Sequence, residues 1–82
     1  MEKYDCFLSR FNIVDGESID LSDDIQDVFD DFDVDANSKE DAIKKCADKL
    51  KEMGCVDVSH TAHEVIGTFR GQEIVYYGFD AQ

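Results

Sequence analysis

The chain has 82 residues, enough for one small domain with one hydrophobic core. Hydrophobic residues make up 43% of it and aromatic residues 11%, which favours a folded domain over intrinsic disorder. No apolar run approaches the ~20 residues of a membrane-spanning helix, and the first residues lack the pattern of a signal peptide. The formal net charge of −12 disfavours direct binding to nucleic acid or to anionic membranes, because like charges repel.

The negative charge is concentrated in residues 15–41, which we call the acidic segment. It holds twelve Asp or Glu residues against a single base, Lys39, which makes its local charge −11. The rest of the chain has eight acids and seven bases and is nearly neutral. A general solubility bias or an adaptation to salt would spread the acids more evenly. The uneven distribution instead predicts a surface that attracts partners rich in Lys and Arg.

The chain begins with a strand pattern, followed by a segment of ambiguous pattern. Residues 3–14 are rich in aromatic and β-branched types, and they predict a strand closed by the Asp15-Gly16 turn. In residues 17–29, Ser22 followed by two aspartates is typical of a helix start. A short acidic helix at about 23–29 and an irregular loop are therefore the two alternatives.

The next segment, residues 31–36, alternates strictly between apolar and acidic residues. Phe32, Val34 and Ala36 share one face, and three aspartates share the other. This alternation predicts a half-buried strand. Because Asp is a poor strand former, we expect the strand to depend on its inner face and to lie at an edge of the sheet.

The main helix is predicted over Lys39–Met53. Ser38 is the expected N-cap, with Asp41 replacing the usual Glu of a capping box, and Gly54 is the expected stop. Four lysines lie towards the C-terminal end, where the helix dipole favours cations. The apolar stripe that should face the core consists of Ala42, Ile43, Cys46, Ala47, Leu50 and Met53.

Strand patterns return after the main helix. We expect a third strand at about Cys55–His60, then a hairpin of Glu64–Phe69 and Glu73–Phe79 about Arg70-Gly71. Together the elements predict a single α+β domain over residues 1–82. Its mainly antiparallel sheet should have three or four strands, with the main helix packed on one face, in the order β-(α)-β-α-β-β.

Asp33, Asp35 and Asn37 resemble the first ligands of an EF-hand calcium loop. The later positions do not fit, because Ser38 replaces the glycine of the sharp turn and Lys44 replaces the bidentate glutamate. The sequence therefore predicts no EF-hand. Weak binding of divalent cations by the acidic segment is the alternative that this pattern leaves open.

The cysteines and histidines do not form a metal-binding pattern. Cys46, Cys55, His60 and His63 lack the paired Cys-x₂₋₄-Cys spacing of zinc sites. With Cys6 the cysteines number three, at irregular spacing, which fits reduced thiols in the cytoplasm better than a disulfide framework. The carboxylates on the exposed face of the strand are expected to be solvated, and no pocket is indicated that would adjust their pKa values for catalysis. The five glycines are scattered and form no phosphate-binding loop. We therefore expect a cytoplasmic protein that is not an enzyme and has no cofactor.

The acidic segment itself is the strongest functional signal. Asp31, Asp33 and Asp35 would point the same way at intervals of ~6.6 Å, twice the rise per residue of a strand. Such a row imitates the spaced charges of a nucleic-acid backbone, so its counterpart would be a Lys/Arg channel that binds DNA or RNA. A merely solvated acidic face is the alternative. Neutralising the row is expected to leave the fold intact or to stabilise it, because repulsion between like charges is relieved.

The candidate partner-binding residues extend from this row towards the N-terminus. They are Asp20, Asp23, Asp24, Asp27, Asp30, Asp31, Asp33 and Asp35.

In size, acidity and single α+β core, the chain resembles the small phage-encoded inhibitors of bacterial defence, the anti-CRISPR proteins in particular. Those proteins share no fold or signature motif, so the resemblance transfers no residue. It implies that the protein occupies a basic nucleic-acid-binding surface of a CRISPR effector or another defence nuclease, in the bacterial cytosol. The acids of residues 20–35 would then contact arginines and lysines of that surface.

A structural or regulatory interaction domain is the alternative function. Such a domain would pair through its sheet or its C-terminal hairpin, and its acids would serve solubility. Phe69, Tyr76, Tyr77 and Phe79 would form the contact surface. Charge mimicry should weaken steeply with ionic strength, whereas sheet pairing should depend on it little.

Overall fold

Nine elements follow one another along residues 1–82, all of which are described by the structure, a computed structural model. The strands are β1 (Glu2–Leu8), β2 (Phe11–Val14), β3 (Glu17–Asp20), β4 (Phe32–Ala36), β5 (Val56–His60), β6 (Val65–Phe69) and β7 (Gln72–Ala81). The helices are α1 (Asp23–Val28) and α2 (Lys39–Glu52). Five strands form one sheet in the order β4-β1-β7-β6-β5, and β2 pairs with β3 in a separate hairpin. The fold is α+β, as the sequence predicted.

The sheet has more strands than the three or four predicted. All five segments with a strand pattern pair with one another, because β1 lies between β4 and β7 and joins the N-terminal part of the chain to the C-terminal hairpin. Every pair of neighbouring strands is antiparallel, as expected. The strand number was underestimated because local periodicity does not specify pairing between segments that are distant in the chain.

The strand predicted over residues 3–14 is two strands, separated by Ser9 and Arg10. At the break, the Leu8 N–H donates to Asp31 Oδ1 at 2.8 Å and the Ser9 N–H donates to the Val75 carbonyl at 2.8 Å. The chain then leaves the sheet, and β2 pairs with β3 alone. A continuous run of strand-forming residues does not reveal a change of pairing partner within it.

The Asp15-Gly16 turn connects two strands instead of ending one. Both residues have positive φ, 52° and 80°, as in the type I′ turns that connect tight hairpins. The sequence did not predict β3 because all four of its residues are exposed and only Ile19 is apolar. Without an inner face, this strand has no alternation to detect.

The prediction of the main helix is confirmed by α2, which begins after Ser38 and ends at Glu52. The Asp41 N–H donates to Ser38 Oγ at 3.1 Å, as expected for an N-cap. In a capping box, the Asp41 side chain would accept a hydrogen bond from the N–H of the N-cap residue, Ser38. Here Asp41 Oδ2 accepts instead from the N–H of the preceding residue, Asn37, at 3.0 Å. This bond holds the pKa of Asp41 below its usual value. Gly54 follows the helix with a φ of 97°, a conformation that favours glycine.

The short helix is also present, as α1 over Asp23–Val28. Ser22 occupies its N-cap position, but the hydroxyl caps no helix N–H and instead accepts from Gln72 Nε2 at 2.9 Å. Ile25 and Phe29 are buried, and the Phe29 ring packs edge-on against Phe69 with centroids 5.0 Å apart. The helix is therefore stabilised mainly by packing.

The core lies on one face of the sheet, and both helices contribute to it. β4 is an edge strand with Val34 and Ala36 turned inward and its aspartates exposed, as the alternation predicted. No charged residue is buried, and neither helix is long and apolar enough to cross a membrane. The buried cluster consists of Tyr4, Cys6, Leu8, Leu21, Ile25, Phe29, Ala36, Ala42, Ile43, Cys46, Ala47, Leu50, Cys55, Val65, Ile74, Tyr76 and Phe79.

A β-bulge near the C-terminus directs one more aromatic side chain into this core. Phe79 and Asp80 of β7 together lie opposite Asp5 of β1, and Phe79 is 1% exposed. The preceding residue must be glycine: Gly78 has a φ of 98°, and a Cβ there would lie 2.7 Å from Phe7 Cδ2. The bulge therefore decides which face of the sheet Phe79 occupies.

Replacing Ser38 with Ala is expected to lower the free energy of unfolding by about 1 kcal/mol, the typical cost of losing an N-cap acceptor. Ser22→Ala is the matched control and should cost less, because that hydroxyl caps no helix and its bond to Gln72 is exposed. Urea denaturation followed by circular dichroism measures both changes. Equal losses would contradict the role assigned to Ser38.

The three cysteines, which are unpaired and buried, are expected to be unreactive in the folded protein. A hydrogen bond with Cys6, together with burial, raises the pKa of the Cys46 thiol, and burial raises the pKa of Cys55. A raised pKa keeps the Cys46 and Cys55 thiols protonated at neutral pH, and the thiolate is the reactive form. The hydrogen bond with Cys46 lowers the pKa of Cys6, but Cys6 is fully buried, so reagents do not reach its sulfur. Iodoacetamide should modify no cysteine of the native protein and all of them after unfolding in guanidinium, as read by mass spectrometry. Rapid modification of native Cys46 would contradict its burial.

Candidate partner-binding surface

All eight aspartates that the sequence suggested as partner contacts are exposed. They do not form a single row, because several elements carry them. They lie at the end of β3 (Asp20), on α1 (Asp23, Asp24, Asp27), in the connection after α1 (Asp30, Asp31) and on β4 (Asp33, Asp35).

The two aspartates of β4 have polar partners on the neighbouring strand and at the C-terminus. Asp35 lies opposite Lys3 of β1, and its Oδ1 is 3.6 Å from Lys3 Nζ. Asp33 lies opposite Asp5, which places two carboxylates side by side. Gln82 Nε2 donates to Asp33 Oδ1 at 2.7 Å and also to Asp5 Oδ1, so one amide bridges the pair. These contacts reduce the repulsion along the edge strand.

The aspartates between α1 and β4 are held by Arg10. Arg10 Nη2 lies 2.8 Å from Asp30 Oδ1 and 3.5 Å from Asp31 Oδ1. The hydrogen bond to Arg10 holds the pKa of Asp30 below its usual value. Asp31 Oδ1 also accepts from the Leu8 N–H at 2.8 Å, where β1 ends. Each aspartate of the predicted row at 31, 33 and 35 thus has a partner within the chain.

A second set of carboxylates has no such partner, and we call it the unpaired acidic group. Its members form no ion pair and accept no hydrogen bond, and no Lys or Arg occurs in residues 11–38. All of them are exposed. The group consists of Asp15, Glu17, Asp20, Asp23, Asp24 and Asp27, so it covers the β2–β3 hairpin and α1.

Sequence reasoning missed two members of this group, Asp15 and Glu17. Recognising Asp15-Gly16 as the turn of a hairpin would have brought both into the candidate site. The intramolecular partners of the other aspartates had no sequence signal. Lys3, Arg10 and Gln82 are distant from them in the chain and approach through the pairing of β1 with β4 and β7.

The aromatic residues of the C-terminal hairpin do not form the contact surface expected for an interaction domain. Tyr76 and Phe79 are buried, Phe69 is partly buried, and only Tyr77 is exposed. The Tyr76 hydroxyl donates to the Asp30 carbonyl at 2.7 Å, and burial raises the pKa of this tyrosine. That expectation was wrong, because three of the four rings contribute to the core.

The histidines lie apart from the two cysteines considered with them for zinc. His60 and His63 line an open cleft of about 600 Å³, whereas Cys46 and Cys55 are buried in the core. His60 lies at the end of the edge strand β5, opposite Val65, and is exposed. No three side chains of His, Cys, Asp or Glu converge as a metal site would require.

Comparison with protein-family models, curated proteins and solved structures gave no match. The chemistry of the exposed residues is therefore what points to a function. Solvated carboxylates without internal partners can accept charged hydrogen bonds from Arg or Lys side chains of another protein. The unpaired acidic group offers six of them in a stretch of the chain that contains no Lys or Arg.

Asp31→Ala is expected to destabilise the fold by about 1–3 kcal/mol, because the N–H of the buried Leu8 loses its acceptor. This differs from the expectation from sequence that neutralising residues 31, 33 and 35 leaves the fold intact. Asp27→Ala is the control, and its effect should stay within about 0.5 kcal/mol because Asp27 has no partner. Urea unfolding compares the two variants, and equal effects would rule out a structural role for Asp31.

Proposed function

We propose that the protein is a small acidic inhibitor that binds a Lys/Arg-rich surface of a nucleic-acid-binding protein. The target would be a CRISPR effector or another nuclease of bacterial defence, and binding would compete with nucleic acid for the same surface. The observation that carries this proposal is the unpaired acidic group: six exposed carboxylates without partners, within a stretch of the chain that contains no base.

The physical argument begins with the cost of this arrangement. Like charges that are close together destabilise a small fold, and none of the seven bases outside the acidic segment forms an ion pair with the group. A basic partner would remove the repulsion and gain charged hydrogen bonds, each worth about 1.5–3 kcal/mol. The same surface field would also accelerate the encounter with a positively charged partner.

The proposal assigns most of the binding to the β2–β3 hairpin and α1. The aspartates of β4 and those held by Arg10 already have contacts within the chain, so a partner would have to compete for them. Arg and Lys side chains that bind phosphate groups also bind carboxylates. An acidic protein surface can therefore occupy a site that evolved for a nucleic-acid backbone.

A second candidate function is an interaction domain that uses the outer face of the sheet, the face opposite α2. Phe7 and Tyr77 pack there with ring centroids 5.9 Å apart, and both rings remain exposed. Binding through this face would bury apolar area and would depend little on ionic strength. The dependence on salt therefore separates the two candidates.

The test uses partners captured from bacterial lysate at low and at high salt and identified by mass spectrometry. The purified partner is then titrated with wild type and with a variant carrying Asp20→Asn, Asp23→Asn, Asp24→Asn and Asp27→Asn. We expect the variant to bind at least a hundredfold more weakly, because two lost charged hydrogen bonds already amount to ~3 kcal/mol. Wild type should displace a fluorescent DNA duplex or RNA from the partner, and its affinity should fall steeply with salt.

The matched control removes the same number of charges outside the acidic segment. It carries Asp48→Asn, Glu52→Gln, Glu64→Gln and Glu73→Gln, all exposed residues that form no ion pair. Circular dichroism confirms that both variants fold. The proposal is wrong if the first variant binds as tightly as wild type in low salt, or if the control loses as much affinity.

A further inference from the structure

The β2–β3 hairpin exposes an unusual amount of apolar surface for its size. Phe11 is 49% exposed, Ile13 65%, Val14 49% and Ile19 48%. The strand register places Phe11 and Ile13 on one face of the hairpin and Val14 and Ile19 on the other. Scattered single apolar residues are ordinary at protein surfaces, whereas four exposed apolar residues on one small hairpin, two on each face, indicate an interaction site.

The hairpin is only lightly attached to the rest of the fold. None of residues 9–20 belongs to the buried cluster. The Asn12 amide donates to the Glu73 carbonyl at 3.0 Å, and the Leu21 N–H donates to the Arg10 carbonyl at 3.0 Å. The Asn12 bond brings β2 towards β7, and β3 has no neighbour other than β2. A two-stranded hairpin is marginally stable in water, and its free edge is a template for another strand.

The charges on the hairpin select the chemistry of the strand that could cover this edge. Glu17 and Asp20 lie on β3 and Asp15 lies in the turn, all unpaired. A second copy of the chain would bring two unpaired acidic groups together, and their repulsion disfavours it. Asp20 and Ile19 face opposite sides of β3, so a neighbouring strand meets a carboxylate on one side and an apolar group on the other.

We propose that β3 is the docking edge for an extended protein segment in which apolar and basic residues alternate. The partner strand would add to β3 through its main chain, bury apolar side chains on the face of Val14 and Ile19, and pair its Lys or Arg residues with Asp20 on the other face. This inference rests on the proposed function, because it names the surface and the kind of segment by which a basic partner is held. The inference adds burial of apolar side chains as a second source of affinity, in addition to the charged contacts.

The test titrates the ¹⁵N-labelled protein with three short synthetic peptides and follows the amide signals by NMR. One peptide alternates Val and Lys, the second alternates Ser and Lys, and the third alternates Val and Glu. The Val–Lys peptide should shift signals of residues 11–20 and bind at least tenfold more tightly than the Ser–Lys peptide. The Val–Glu peptide should not bind, because its charge has the same sign as the hairpin.

Variants separate the apolar and the acidic contributions. Val14→Thr with Ile19→Thr should weaken Val–Lys binding about tenfold or more, because these two side chains share one face of the hairpin, where the valines of the peptide would bury them. Threonine retains the β-branched shape, so the hairpin can still form. Val56→Thr is the control: Val56 is 59% exposed but lies on β5, in the main sheet, and its substitution should change nothing.

Four results would overturn the inference. If the Ser–Lys and Val–Lys peptides bind equally at the hairpin, charge alone holds the partner, and the proposed function stands without the docking edge. Binding of the Val–Lys peptide at the outer face of the sheet, or no binding of this peptide, also rejects the docking edge. A dimer that forms in high salt and is lost in the Val14→Thr, Ile19→Thr variant would assign the hairpin to self-association. The proposed function is tested separately, by whether the variant with Asn at positions 20, 23, 24 and 27 loses affinity for the purified partner protein.

Discussion

Twenty carboxylate side chains in an 82-residue chain all have to remain in water or find a partner, because an ionised carboxylate in the protein interior costs several kcal/mol. The structure meets this requirement by burying one face of a single sheet and leaving every charged residue outside the core. β4 illustrates the solution, since Val34 and Ala36 turn towards the helices while Asp33 and Asp35 stay solvated. Its position at the edge of the sheet gives those carboxylates the greatest access to water.

The same requirement divides the acidic segment into two halves with different chemistry. Where β4 and the connection before it approach β1, Lys3, Arg10 and Gln82 are within reach and satisfy the nearby aspartates. The carboxylates of the hairpin and α1 form no ion pair with these or any other side chains. The acidic segment looks uniform in sequence, but some of its carboxylates bind partners within the chain and the others bind none. Only the free part can gain a full set of new charged hydrogen bonds when a partner binds.

Apolar exposure and unpaired charge coincide on the β2–β3 hairpin, and this coincidence gives the two proposals a common physical basis. Electrostatic attraction acts at a distance and increases the rate and selectivity of encounter. Apolar burial acts only at contact and supplies affinity that salt does not screen. The hairpin lies outside the core, has a free edge and carries both charged and apolar side chains. Its charges can attract a basic protein, and its apolar side chains can then hold that protein.

Several features of this protein could be read from short stretches of sequence. The limits of α2 follow from Ser38 and Gly54, the C-terminal hairpin from Arg70-Gly71, and the edge strand from its alternating aspartates, because caps, turns and periodicity are properties of neighbouring residues. The candidate aspartates were correctly expected to be exposed.

Only the tertiary structure decided the number of paired strands, the inward turn of Phe79 at a bulge, and which aspartates are free. Each of these depends on strands that are distant in the chain and meet only when β1 inserts between β4 and β7.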